Sequence, residues 1–168
     1  WVLVRDARSG QFDVKRVDGL GRVRDVRVPR QRKDLYQSFA ALAAGSDGSM
    51  WLAIADMRIA GETRVIRFTA NGSRRTFRLP AALDVTAMAA GPDGSIWYLG
   101  AKRDTIGRIS RNGRTSHIRL LSGHTMTQIV QGRNGDMWLA NESLVIRIDR
   151  SLRQTRFAVA SNFRDSAL

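Results

Sequence analysis

Apolar residues in this chain fall in short runs, and the breaks between runs are Asp-Gly, Asn-Gly and Pro positions. An Asp-Gly or Asn-Gly pair between two apolar runs supplies the positive φ that a tight hairpin corner requires, so the pattern predicts strands joined by hairpins. No stretch carries a convincing helical period. The strands expected first are Trp1 to Val4, Phe12 to Val17 and Val23 to Val28, then Tyr36 to Ala44, Met50 to Ala55, Arg64 to Thr69 and Arg74 to Leu79. Two further sets follow: Asp84 to Ala90, Ile96 to Leu99, Thr105 to Ser110 and Thr115 to Leu121, then Thr125 to Gln131, Met137 to Ala140, Leu144 to Asp149 and Gln154 to Ala158.

The sets are copies of one unit. Gly45-Ser46-Asp47-Gly48-Ser49-Met50-Trp51 recurs as Gly91-Pro92-Asp93-Gly94-Ser95-Ile96-Trp97 and as Gly132-Arg133-Asn134-Gly135-Asp136-Met137-Trp138. With Trp1 as a fourth tryptophan, the repeat is roughly 44 residues long. Four short antiparallel strands per repeat predict an all-β fold, a β-propeller of about four four-stranded blades that is complete or part of a larger, for example seven-bladed, ring. Blades are expected at about 1–29, 34–80, 84–121 and 125–159 within one segment spanning 1–168. Their apolar runs do not alternate strictly, as expected where neighbouring blades cover both faces of a sheet. Asp165-Ser166-Ala167-Leu168 lines up with Phe39-Ala40-Ala41-Leu42, so 163–168 reads as a first strand that completes the first blade or begins another.

Composition changes this picture little: 43% hydrophobic residues is ordinary for a globular domain, and no apolar run is long enough for a membrane-spanning helix. The absence of cysteine excludes disulfides and thiolate metal sites. Charge changes it more. A net +13 invites a polyanion partner, yet 25 of the 28 basic residues are arginines spread over every repeat, with no basic tail, which disfavours a dedicated nucleic-acid site.

The third unit, with Ala90 to Trp97 followed by Ile106-Gly107-Arg108-Ile109 and Asn112-Gly113, resembles the streptogramin (virginiamycin B) lyase family, and is also similar to the propeller repeats of two-component sensors. The lyase resemblance implies a seven-bladed fold, a periplasmic or extracellular setting, and a metal-assisted elimination, with Mg as the implied ion, that opens a cyclic ester. Its catalytic histidine, on the innermost strand, would fall here at Ala40, Thr86, Thr127 or Ser166, and its glutamate at Val4, Ile54, Gly100 or Asn141. None of these is a general base or a carboxylate.

The residues themselves assign no cofactor and favour binding over catalysis. His124, in the loop entering the fourth unit, and Glu142, just past that unit's second strand, are the best acid/base pair available, and both are expected on the face where inter-blade connections converge. The same face should gather Arg32, Lys33, Arg58, Lys102, Arg103 and Arg164, with Thr86 and Thr127 lining the channel, a mixture suited to a small molecule, a sugar or a peptide. His117 is expected at the surface of an outer strand. Arg16, Arg67, Arg108 and Arg147 recur at one register of the third strand, which points to a structural role repeated with the fold. The readings open at this point are a binding or sensing module, a lyase whose catalytic residues lie on blades outside this chain, and a polyanion binder. Further blades or a second copy of the chain are the expected structural partners.

Overall fold

The computed structural model describes residues 1–5, 12–26, 37–56, 62–79, 85–100, 105–121 and 123–159. Among them are fifteen strands and no helix. The chain forms two compact units, Trp1–Asp84 and Val85–Leu168. In the first, β1 (Val2–Arg5), β2 (Phe12–Val17) and β3 (Val23–Val26) make a three-stranded sheet, and β4 (Gln37–Ala44), β5 (Met50–Asp56), β6 (Glu62–Phe68) and β7 (Arg74–Arg78) a four-stranded one. The second holds two four-stranded sheets: β8 (Val85–Ala90), β9 (Ile96–Gly100), β10 (Thr105–Ile109) and β11 (Thr115–Arg119), then β12 (Gln128–Gln131), β13 (Met137–Ala140), β14 (Leu144–Ile148) and β15 (Gln154–Ala158). Every sheet runs antiparallel in chain order, which is the construction of a propeller blade. The last blade's inner strand starts at Gln128 rather than at Thr125, because the Thr125 carbonyl is taken by the Asn141 side chain at 3.0 Å instead of by a ladder partner.

Within each unit the blades pack by one rule. In the first, Trp1, Leu3, Val14 and Val26 of the β1–β3 blade lie against Met50, Leu52, Ile54, Ile66 and Phe68 of the next. In the second, Trp97, Leu99 and Ile106 lie against Ile129, Met137, Leu139, Ile146 and Ile148. The tryptophan face of one blade thus covers the opposite face of its successor. Each fully buried Leu, Ile or Met contributes about 2 kcal/mol, so this contact is the main source of stability in either unit.

The marker repeat explains itself atom by atom. At Gly91–Ser95, the Gly91 N–H donates to the Ser95 carbonyl at 2.8 Å and the Gly94 N–H to the Gly91 carbonyl at 3.3 Å. Only Gly94 has positive φ, 72°, so the corner is a type I turn closed by a bulge glycine rather than a two-residue turn. The first glycine has a different task. A methyl at Gly91 would sit 2.5 Å from Trp97 Nε1, and one at Gly132 would sit 2.7 Å from Trp138 Nε1. The indole edge therefore occupies the space that a side chain would need, and in the third blade its N–H donates to Ser95 Oγ at 3.1 Å.

Over the other side of the ring lies an arginine. Trp51 pairs across strands with Arg67, Trp97 with Arg108 and Trp138 with Arg147, and the guanidinium centres of Arg67 and Arg108 stand 5.3 and 5.8 Å from the ring centroids. Arg67 is ion-paired with Asp47 and Arg108 with Asp93. In the fourth blade the acid has moved to the far side of the glycine, where Arg147 Nε donates to Asp136 Oδ2 at 2.7 Å. Arg16 lies 5.6 Å over Trp1 and donates to the Ala70 carbonyl at 2.6 Å. The repeated register is thus a structural clamp. Hydrogen bonding from Ser49, and the Arg67 guanidinium beside it, pull the Asp47 carboxyl down to about 2 against the burial that pushes it up. Burial acts on Asp93 in the same upward sense, but Ser95 and Arg108 outweigh it and hold that carboxyl below its usual range.

One corner breaks the glycine rule. Asp149–Arg153 has the same hydrogen bonds as the others, 3.1 and 2.9 Å, but its bulge position is Leu152 at φ 64°, the one non-glycine with positive φ among the described residues. A left-handed leucine costs about 1 kcal/mol. Leu152→Gly is therefore expected to stabilise the chain by about 1 kcal/mol in denaturant unfolding, and a loss of stability would show that the leucine side chain does more there than its backbone costs. The depressed Asp47 carboxyl gives a second expectation. Its contribution is present above the unfolded-state value of about 4 and is lost as pH falls from there through about 2. Asp47→Asn should melt below wild type at pH 5, and the gap should close towards pH 2; a gap independent of pH would remove the ion pair from the account.

Candidate functional site

The inner strands carry an irregularity that sequence did not reveal. The β4–β5 register slips between Phe39 and Ala41, and the β8–β9 register slips between Val85 and Ala87. The extra residues are Ala40 and Thr86, two of the positions that the lyase resemblance assigned to the catalytic histidine. A β-bulge turns one residue out of the ladder and re-aims it, and such bulges are common beside binding sites. Thr86 is exposed and its hydroxyl donates to the Leu99 carbonyl at 3.5 Å. Thr127, at the matching point before β12, is also exposed and donates both its N–H and its hydroxyl to the Ala140 carbonyl, at 3.0 and 3.3 Å. Strands β8 and β12 lie side by side, so the two threonines stand on neighbouring inner strands of one unit.

Near Thr127, Asn141 knots two loops together. Its Nδ2 donates to the Thr125 carbonyl at 3.0 Å, while its Oδ1 accepts from the Ser143 and Leu144 N–H groups at 3.0 and 2.8 Å. This places the loop bearing His124 beside the corner bearing Glu142, both of them exposed. Asn141 is one of the four positions at which the lyase resemblance would place a glutamate, and here an amide braces the loops. No cluster of three or more His, Cys, Asp or Glu able to hold a metal occurs among the described residues. Arg32, Lys33, Arg58, Lys102, Arg103, Arg164 and Ser166 lie outside the described residues.

His117 is exposed on β11, as expected, but it is not isolated. Its Nε2 shares a hydrogen bond of 3.0 Å with the hydroxyl of Tyr98, a fully buried residue whose ring crosses over Gly107 between them. Burial pushes the Tyr98 hydroxyl up to about 12, so it stays protonated. At the opposite end of the same sheets is a cleft of about 350 Å³ between the Pro92–Asp93 and Asp149–Leu152 corners, floored by Trp97, Met137 and Ile148. The only hint of it in the sequence was Ser151-Leu152 standing where other repeats have Asn-Gly.

Antiparallel sheets ordered as in the chain and packed face to face define this protein as a β-propeller. A sequence profile of the Virginiamycin B lyase family matches residues 21–163, and the chain belongs to that family. Among solved structures it is similar to a streptogramin B lyase, at 17% identity and a TM-score of 0.70, covering 95% of this chain and 54% of that one. It is likewise similar to virginiamycin B lyase from Staphylococcus aureus, at 19% identity and a TM-score of 0.68, covering 95% and 55%. The same coverage and TM-score hold for that enzyme's catalytically inactive histidine-to-alanine variant, solved with quinupristin. A gluconolactonase-like protein matches at 13% identity and a TM-score of 0.64, covering 89% and 57%. The chain therefore spans about half the length of the structures it resembles. A search of curated protein sequences found no match.

Proposed function

We propose that this chain is a ligand-binding propeller segment that holds a small molecule at the loop end of its second unit, without transforming it. The observation that supports this reading is the inner-strand bulge. It turns Thr86 out of the ladder at one of the four positions where the lyase resemblance would place a histidine, and a hydroxyl there can donate or accept a hydrogen bond but cannot act as a base at neutral pH. Thr127 adds a second hydroxyl on the neighbouring strand, and His124 and Glu142 add polar groups at the rim. Catalysis of the lyase kind would then call on residues outside this chain. Quinupristin is the natural probe, because a family member was solved with it. It is expected to perturb tryptophan fluorescence on binding and to be recovered unopened, with Thr127→Val weakening the interaction roughly five-fold, the equivalent of one lost hydrogen bond. Recovery of a product of unchanged mass and altered chromatographic retention, as ring opening by elimination gives, would overturn the binding-only reading.

A second reading, polyanion binding, is favoured by the net charge of +13 and by β7, which exposes Arg74, Arg75 and Arg78 on one short strand. An arginine-rich surface attracts a polyanion by releasing its counterions. This reading predicts retention on heparin that falls steeply with salt, and that drops selectively in an Arg74→Ser, Arg75→Ser, Arg78→Ser triple variant. Equal retention of wild type and variant would count against it.

A further inference from the structure

The cleft at the corner end of the second unit stays open where the first unit spans the same gap. In the first unit, Arg16 reaches from the β1–β3 blade to the next blade's corner and donates to the Ala70 carbonyl at 2.6 Å. Ala70 corresponds to Arg150, because Thr69–Ser73 and Asp149–Arg153 are the same corner with the same pair of hydrogen bonds. The arginine equivalent to Arg16 is Arg108, and it is held by Asp93 of its own blade. What remains between the corners is the cavity of about 350 Å³ over Trp97, Met137 and Ile148. Gly135 keeps its mouth clear: a Cβ there would stand 3.0 Å from both Pro92 Cβ and the Arg150 guanidinium. The wall carries the strain. The bulge position of this corner is Gly72 in the second blade and Gly113 in the third, but in the fourth it is Leu152, left-handed, 45% exposed and lining the cleft. A residue held in an unfavourable backbone conformation at the edge of a cavity points to a use for its side chain there.

We infer that this cleft binds a small aromatic carboxylate, its ring on the Trp97–Met137–Ile148 floor beside Leu152 and its carboxylate on Arg150. The floor and the leucine wall are apolar and pre-formed between two fixed corners, which favours a rigid ring over a flexible chain. The charge follows from what is already paired. Asp93 binds Ser95 and Arg108, and Asp149 Oδ1 accepts from the Ser151 and Arg153 N–H groups at 2.8 and 2.9 Å. Arg150 is exposed and gives its Nε to the Asn134 carbonyl at 3.0 Å, which leaves its terminal nitrogens to meet an anion. The two carboxylates at the rim oppose a second negative charge, so a monoanion fits better than a phosphate. The site lies at the other end of the sheets from Thr86 and Thr127, and it is independent of what the loop end binds.

Titration calorimetry with 2-naphthoate tests this. Wild type is expected to bind it, and to bind the neutral 2-naphthalenemethanol about ten-fold more weakly, because the alcohol forms no charge-assisted pair with Arg150. Arg150→Gln is expected to weaken 2-naphthoate about ten-fold for the same reason. Leu152→Gly is expected to weaken it about five-fold through lost apolar contact. Because the glycine also relieves the left-handed backbone, that loss would come in a chain at least as stable as wild type. Arg156→Gln, which removes the same charge from the exposed outer strand β15, is expected to leave the affinity unchanged and so separates the cleft from a general attraction to a basic surface. Absence of binding to wild type overturns the proposal. So does equal affinity for the neutral alcohol, an equal effect of Arg150→Gln and Arg156→Gln, or wild-type affinity in Leu152→Gly.

Discussion

A tryptophan ring held edge-on against a glycine and face-on against an arginine is the constraint on which the rest of this structure depends. The indole is too large to be placed by burial alone in a packed sheet, and the three blades that carry the marker solve this with the same few groups. The first marker glycine makes room for the ring's edge, the cross-strand arginine covers its face, and a corner carboxylate neutralises the arginine. A cation over an aromatic face contributes on the order of 1 kcal/mol, more where water is excluded. Its larger effect is geometric. By holding the ring flat, the clamp presents an apolar slab to the next blade, and the interlocking of slab and opposite face builds the core of each unit.

That arrangement leaves the inner strands free to vary. Nothing in the clamp involves Ala40, Thr86 or Thr127, which stand outside the regular pairing of their strands or at its edge. The scaffold and the candidate site are therefore separable: the first is fixed by outward-lying corners and mid-sheet rings, the second by single residues released from the ladder at the loop end. The His124 loop and the Glu142 corner are held there by Asn141, an amide at one of the four positions where the lyase resemblance would place an acid.

How much of this was legible follows from what each feature needs. Strands and corners were readable because their determinants are local: an apolar run, and a glycine that alone adopts positive φ cheaply. The arginine register was readable because it repeats. The bulges were not, since one extra residue becomes visible only when the partner strand's register is known. The shift of the clamping acid from Asp93 before the glycine to Asp136 after it was hidden for the same reason, because Asn134 still supplied an acceptable corner residue. Leu152 read as a mere replacement for Asn-Gly, and its left-handed backbone had no signature in its side chain. The basic residues expected at the loop end lie outside the described residues, whereas Thr86, Thr127, His124 and Glu142 fall at one end of one unit.

The bulged residue has a consequence for how such a protein changes over generations. A side chain turned out of the ladder contributes little to blade packing, so its identity can change while the fold remains intact. The fold thus keeps a vacant socket in which chemistry can be lost and regained one substitution at a time, and relatives with the same blades need not share a reaction.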